Sequence, residues 1–241
     1  MLRHVCDISD AKMAICINKD LPKGVIMREK LILVGGGGHA KIILDSMDRS
    51  RYEVVGILDA ILSVGTKISG IPVLGCDAMA ADLYKNGVHN AVITTVGNGE
   101  LFRRLIAKYK SMGFSIPPII HPKSHVSESV SLGEGVSLLV NSCVNTEASI
   151  GAFVTINSNA VVEHECIVGE GTHIAPCSVL LGGCQVGKYC FIGAGSVVLP
   201  QIKVGDNCIV GAGSIVTKDL PDGAMAYGNP ARIIKHEEAL L

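Results

Sequence analysis

Glu163-His164-Glu165 is a place in this 241-residue chain where side chains suited to acid–base chemistry stand together. An imidazole with an unperturbed pKa of about 6.5 can take a proton from an attacking nucleophile near neutral pH. A neighbouring carboxylate can fix its tautomer and raise its basicity. The competing reading is a solvated surface histidine among acids. A second constellation lies upstream. Gly35-Gly36-Gly37-Gly38-His39-Ala40 fits G-x-G-x-x-A, with Asp59 about twenty residues further on. Glycines of this kind let backbone N–H groups approach a phosphate at a helix N-terminus. A ligand-free glycine turn and, for Asp59, a strand-end cap are the alternatives. Of the other histidines, His4 and His236 lie in the tails and His89 in a turn, while His121 and His125 flank a change in sequence character.

The elements needed to hold the glycine loop are legible around it. Leu31–Val34 is a short apolar strand, and His39–Met47 carries apolar residues at helical spacing. Val54–Leu58 and Ala91–Val96 read as strands. Asp77–Lys85 and Glu100–Ser111 read as helices, with Gly87 and Gly113 just past their ends. Alternation of strand and helix implies a parallel sheet. About 90 residues make half of a dinucleotide-binding fold, which disfavours a dinucleotide ligand and suits a smaller nucleotide.

From Val126 the sequence falls into six-residue units. Sixteen consecutive units, from Val126 to Val216, begin with Val, Ile or Leu without a slip. The fifth residue of each unit is usually small, as at Ser142, Ala160, Cys166, Ser178, Cys184, Cys190, Ser196 and Cys208. Glycine follows the aliphatic residue at 133, 151, 169, 187 and 205, a spacing of 18. Three hexads per turn describe a triangular coil whose stacked strands pair about 4.8 Å apart. Equivalent residues then form columns. Aliphatics fill the interior, and the 18-spaced glycines are expected at turns needing positive φ. Cys166 with Cys184, and Cys190 with Cys208, are expected to share interior columns as packing residues.

Composition excludes other classes. The chain is 48% hydrophobic with only 4% aromatic residues, no Trp and 28 Gly, too apolar for disorder. A net charge of −1 leaves no basic surplus for nucleic acid. No run of 18 apolar residues suggests a membrane span. Nine Cys with no C-x-x-C pair argue against a disulfide framework or zinc ribbon and for reduced thiols in the cytoplasm. Residues 1–26 lack a signal-peptide pattern and are expected to be an annex or a leader from an early start codon.

The hexads resemble those of the hexapeptide-repeat acyltransferases, whose fold is a left-handed parallel β-helix. Val34–Lys41, Gly56–Asp59, Gly70–Gly75, Val96-Gly97-Asn98, Ile120–Pro122, Val162–Glu165 and Tyr227–Arg232 together resemble the sialic acid O-acetyltransferase-like sugar acyltransferases. That group includes N-acetyltransferases of nucleotide-linked 4-amino-4,6-dideoxy sugars, such as those of the bacillosamine pathway. The resemblance spans about residues 30–234 and implies a homotrimer binding acetyl-CoA between neighbouring prisms. It assigns His164 as general base and Glu165 as its partner. It places His173 at acetyl-CoA and the backbone of Ala194 and Ala212 on the pantetheine arm, though turn chemistry alone also explains the two alanines. Acyl transfer further needs an N–H at the oxyanion, expected at Gly182, and Lys218 and Arg232 are either CoA-phosphate contacts or solvated charges. The resemblance places Gly37, Gly38, His39, Asp59 and Gly97 at a nucleotide sugar. Nine residues separate His164 from His173, half of the 18-residue coil, so the two cannot stack in one column; if both serve one site, neighbouring protomers would most simply supply them. Ala60 stands where the bacillosamine-type enzyme has a second acidic residue, which leaves the nucleotide base open.

The expected architecture is therefore an N-terminal extension (1–29), an α/β half-Rossmann domain (30–118) and an all-β left-handed β-helix (119–241). The expected activity is transfer of acetyl from acetyl-CoA to a sugar amine, without a metal. Sialic acid O-acetylation, a non-catalytic β-helix scaffold and serine acetyltransferase are the rivals, the last disfavoured by the glycine-loop domain.

Overall fold

A computed structural model of the chain describes residues 28–95 and 99–236. The expectations for residues 1–26 and for Gly97 lie outside the described residues.

The N-terminal unit is built from β1 (Glu29–Val34), α1 (Gly38–Ser46), β2 (Tyr52–Leu58), β3 (Lys67–Ile68), β4 (Ile71–Gly75), α2 (Ala80–Lys85), β5 (Asn90–Ile93) and α3 (Gly99–Ser111). The strand order is β3-β4-β2-β1-β5, with β1 parallel to both β2 and β5, and β2 parallel to β4. Alternation along β1 explains the three layers. Leu31 and Leu33 pack with Ala40, Ile43 and Leu44 of α1, whereas Ile32 and Val34 pack with Ala80 of α2 and Leu105, Ile106 and Tyr109 of α3. The short β3–β4 hairpin is antiparallel and escaped the sequence reading. Its signal is Ser69-Gly70, both at positive φ, flanked by two-residue ladders.

The C-terminal unit is a three-sided parallel prism. One face stacks strands from His125–Val126 to Ile215–Val216, the second from Ser131–Leu132 to Lys203–Val204, and the third from Ile119–Ile120 to Ile209–Val210. Pairing is in register at 18 residues, as in Val161↔Val179 and His173↔Phe191. The prism thus starts one unit before Val126, at Ile119–Ile120, and the third face is extended by Ala224–Tyr227 and the antiparallel Arg232–His236. Val162, Leu180 and Val198 are fully buried, and so are Cys166, Cys184 and Cys208, while Cys190 is nearly so. Ser178 Oγ, buried inside, lies 2.8 Å from the carbonyl oxygens of both Ala175 and Gly193, so its hydrogen finds an acceptor within the prism.

One expectation about the turns is corrected. The glycines at 133, 151, 169, 187 and 205 do not have positive φ. A Cβ on Gly169 would stand 2.5 Å from the carbonyl carbon of Gly187, and one on Gly151 would stand 2.8 Å from the Glu170 nitrogen. These residues are glycine because the next coil's backbone lies where a side chain would go. Positive φ falls instead at every sixth residue from Gly135 to Gly213, through Asn141, Glu147, Phe153, Asn159, Glu165, Gly171, Cys177, Gly183, Tyr189, Gly195, Gln201 and Asn207. Each corner of the prism turns on one left-handed residue.

Candidate active site

Three columns of corner residues run up the prism. His164 and Gly182 sit one coil apart on the corner between the first and second faces, with Lys218 two coils further along. His164 follows the strand Val161–Val162 and is exposed. Glu165 is the left-handed residue of this turn, with φ 58°. That conformation disfavours a side chain by roughly 1–2 kcal/mol. It also swings the carboxylate back along the corner, where Glu165 Oε2 lies 3.0 Å from His164 Nδ1. A carboxylate only accepts, so Nδ1 carries the hydrogen and Nε2 presents its lone pair. Asn145 Nδ2 donates to Glu163 Oε2 at 2.9 Å, which turns that second carboxylate away as a separate contact.

Gly182 is where it is because the imidazole lies against it. A Cβ there would stand 2.5 Å from both Cε1 and Nε2 of His164. Its carbonyl accepts from Gln201 N, but its own N–H donates to no group among the described residues. A base and a free N–H therefore stand side by side, the pair that acyl transfer needs for proton removal and oxyanion stabilisation.

Ala194 and Ala212 occupy a different corner, between the third and first faces, stacked one coil apart and exposed. Their N–H groups also make no hydrogen bond among the described residues. Lys218 is exposed, and so is Arg232, whose Nη1 donates to Ala231 O at 3.0 Å. One protomer thus presents the proposed base and the proposed cofactor-arm contacts on separate edges.

His173 is placed elsewhere again, on a strand of the third face. Its ring stacks on Phe191 with centroids 5.3 Å apart and stands 6.3 Å from the ring of His39. Asn157 Oδ1 accepts from Ser158 N, so its Nδ2 faces and donates to His173 Nε2 at 3.2 Å. The hydrogen then resides on Nδ1, which is buried with no partner among the described residues. Burial, aided by the nearby His39, pulls the His173 pKa down to about 4, and burial lowers that of His39. Both rings line a pocket between the two units, with Phe102, Phe153, Tyr189 and Phe191 among its walls. Spacing alone gives no sign of this pairing, because His39 and His173 belong to different units.

The glycine loop leads directly into His39 of this pocket. Gly37 caps α1, whose first residue is Gly38, and Cβ atoms on either would meet nothing within 4 Å. The helix N-terminus is thus open to an anion. Gly35 has φ 106°. Asp59 is tied inward: Oδ2 accepts from Gly36 N at 2.7 Å and Oδ1 from Ile61 N and Leu62 N at 2.8 and 2.9 Å. Burial would raise its pKa, but these three bonds outweigh it and hold the carboxyl below the usual range. Its first task is to lace two loops together; one lone-pair direction remains for a ligand. Among the described residues no cluster of three or more His, Cys, Asp or Glu could hold a metal, and no helix is long and apolar enough to cross a membrane.

Comparison with known proteins agrees with this layout. Residues 30–109 match the PglD N-terminal domain, and residues 147–182 and 183–218 match the bacterial transferase hexapeptide (six repeats). No curated protein sequence is matched. Among solved structures, PerB from Caulobacter crescentus, in complex with CoA and GDP-perosamine, is 38% identical with a TM-score of 0.81, over 86% of this chain and 97% of that one. The acetyltransferase domain of PglB from Neisseria gonorrhoeae FA1090, in complex with acetyl coenzyme A, is 29% identical with a TM-score of 0.80, over 86% and 100%. WeeI from Acinetobacter baumannii AYE is 25% identical with a TM-score of 0.76, over the same shares. The chain therefore belongs to the hexapeptide-repeat sugar N-acetyltransferases, acetyl-CoA-dependent enzymes with a PglD-type domain in front of a left-handed β-helix.

Proposed function

We propose that the enzyme acetylates the 4-amino group of a nucleotide-linked 4-amino-4,6-dideoxy sugar, with His164 as general base. The observation that carries this is the His164–Glu165 pair beside the unbonded Gly182 N–H. The neutral amine attacks the thioester carbonyl carbon, and a C–N bond forms as Nε2 of His164 takes a proton from the nitrogen. The Gly182 N–H stabilises the oxyanion. Collapse breaks the C–S bond, and the imidazolium returns its proton to the departing CoA sulfur. No covalent enzyme intermediate is required.

The separate edges support a homotrimer. His164 and Gly182 on one corner and Ala194 and Ala212 on another meet only if neighbouring copies face each other across a groove. The outward side chains of the first face, Val161, Val179, Val197 and Ile215, are apolar and half-buried in the single chain, which suits them to cover by a second copy. In such an assembly acetyl-CoA lies along the groove, its arm on Ala194 and Ala212 and its phosphates near Lys218 and Arg232. The sugar nucleotide is held by Gly37, Gly38, His39 and Gly97 of the N-terminal unit, and the reading keeps Asp59 at the nucleoside through its remaining lone pair. The reading keeps His173 at acetyl-CoA, with its buried Nδ1–H as the donor. Its neutral state lets it donate to an uncharged substrate oxygen without placing a charge there. The enzyme is expected in the cytoplasm, where acetyl-CoA is available. Incubation with acetyl-CoA and a panel of UDP-, GDP- and dTDP-linked 4-amino-4,6-dideoxy sugars tests the reading: at least one should gain a single acetyl group on nitrogen, and acetylation only of a free nonulosonic acid would overturn it.

A further inference from the structure

The prism corner nearest α3 carries residues that a turn would not choose. Its left-handed column reads Gly135, Phe153, Gly171, Tyr189, Asn207. Phe153 and Tyr189 hold φ of 59° and 54°, a region that bulky L side chains rarely occupy. Rings kept in such a conformation point to a use for them. Each ring covers the glycine one coil before it: a Cβ on Gly135 would stand 2.5 Å from Phe153 Cδ1, and one on Gly171 would stand 2.4 Å from Tyr189 Cδ1. The rings then meet α3. Arg103 Cζ stacks 3.8 Å from the centre of the Tyr189 ring, and its Nη2 donates to Asn207 Oδ1 at 2.7 Å. Tyr189 Oη donates to Glu170 Oε1 at 2.7 Å, which fixes the ring from the prism side. Lys110, further along α3, lies 5.5 Å from the Phe153 ring centre and pairs with Glu134.

We propose that this column is a docking ladder that sets the pose of the nucleotide-binding unit over the prism, with Arg103 and Tyr189 as positioning residues for the sugar substrate. The argument is geometric. His39 rides on α1 and His173 on the prism, so their 6.3 Å separation is held by contacts between the units. Phe102, next to Arg103, walls the same pocket, as does Gly99 at the start of α3. A slip of α3 along the ladder would displace the bound sugar amine relative to the prism. Acetyl-CoA, held by prism residues alone, would be unaffected.

The inference rests on the reading that the N-terminal unit holds the nucleotide sugar. It is tested by steady-state kinetics on the full chain with both substrates varied. Arg103→Ala should raise KM for the nucleotide sugar about tenfold, the scale of one stacked and bonded cation, and leave KM for acetyl-CoA unchanged. Arg103→Lys, which keeps a cation for the ring but loses the fork to Asn207, should fall between. Tyr189→Gly relieves the left-handed backbone, which offsets part of the lost ring contacts, so the chain should stay folded while KM for the sugar increases as in Arg103→Ala. The ladder is overturned if sugar KM stays within twofold of wild type in both Arg103→Ala and Tyr189→Gly, or if KM for acetyl-CoA rises in step. If the wild-type chain binds no nucleotide sugar by calorimetry, the underlying reading falls and the ladder with it; if wild type and variants bind equally well, only the ladder falls.

Discussion

Gly182→Ala probes the site without replacing a titratable group. The added Cβ would stand 2.5 Å from Cε1 and Nε2 of His164, whereas carbon atoms rest at about 3.5–4.0 Å, so the ring must retreat by roughly 1 Å. The retreat is taken by rotation of an exposed imidazole, because the nearest atoms are its ring atoms. Rotation costs the alignment of Nδ1 with Glu165 Oε2 and moves Nε2 from its place beside the Gly182 N–H. A displacement of that size at a reacting group is worth about 100-fold, or roughly 2.7 kcal/mol in the barrier. CoA release followed continuously gives kcat, and thermal melting gives the control. Gly182 does not need positive φ and lies at the surface, so the melting temperature should move by only a few degrees. The double variant with His164→Ala is the sharper control. If the alanine acts by displacing the base, it should add nothing once the base is gone. A kcat within twofold of wild type for Gly182→Ala refutes the placement, and full additivity in the double variant refutes the mechanism.

Two further outcomes follow from the interior. The His173 pKa of about 4 lies below the unfolded value of about 6.5, so the folded state prefers the neutral ring; that stability is present above pH 6.5 and is lost as pH falls towards 4, by about 3 kcal/mol. Melting of wild type against His173→Asn from pH 7.5 to 4.5 should show the wild type losing more on acidification, and parallel curves would contradict the assignment. Gly169→Ala drives a Cβ to 2.5 Å from the next coil's backbone, so it should lower stability by roughly 2–4 kcal/mol in denaturant melts, whereas Gly195→Ala, at positive φ with open space, should cost about 1–2 kcal/mol; equal losses would show that coil spacing is not the constraint.

How far the sequence reaches depends on whether a constraint is local. The hexads are a local rule repeated, so spacing alone sorts Val126 to Val216 into three faces. His164 with Glu165 was visible for the same reason, as neighbours in the chain. The 18-spaced glycines were also found, but their cause was misread: the obstacle at Gly169 is the backbone of Gly187, a contact between coils that spacing alone does not reveal. Left-handed turn residues were missed because the position accepts Asn, Gly, Glu, Gln, Cys, Phe and Tyr, a set with no shared side-chain signature. For Asp59 the sequence offers a ligand contact or a strand-end cap; the structure gives three of its acceptor sites to backbone N–H groups in loops distant or adjacent in sequence and leaves one for a ligand. The pairing of His39 with His173 and the grip of Arg103 on Tyr189 depend on docking between units, which neither periodicity nor motif encodes.

The central claim is that His164 takes the proton as a nucleotide-linked sugar amine attacks acetyl-CoA. The most direct measurement compares turnover of wild type and His164→Ala on whichever nucleotide 4-amino sugar the enzyme accepts, with the product identified by mass spectrometry and oligomeric state checked by light scattering. The account predicts a single N-acetyl product and a kcat reduced by about 10²–10⁴-fold in an assembly that stays intact. Near-normal turnover by an intact His164→Ala would contradict it.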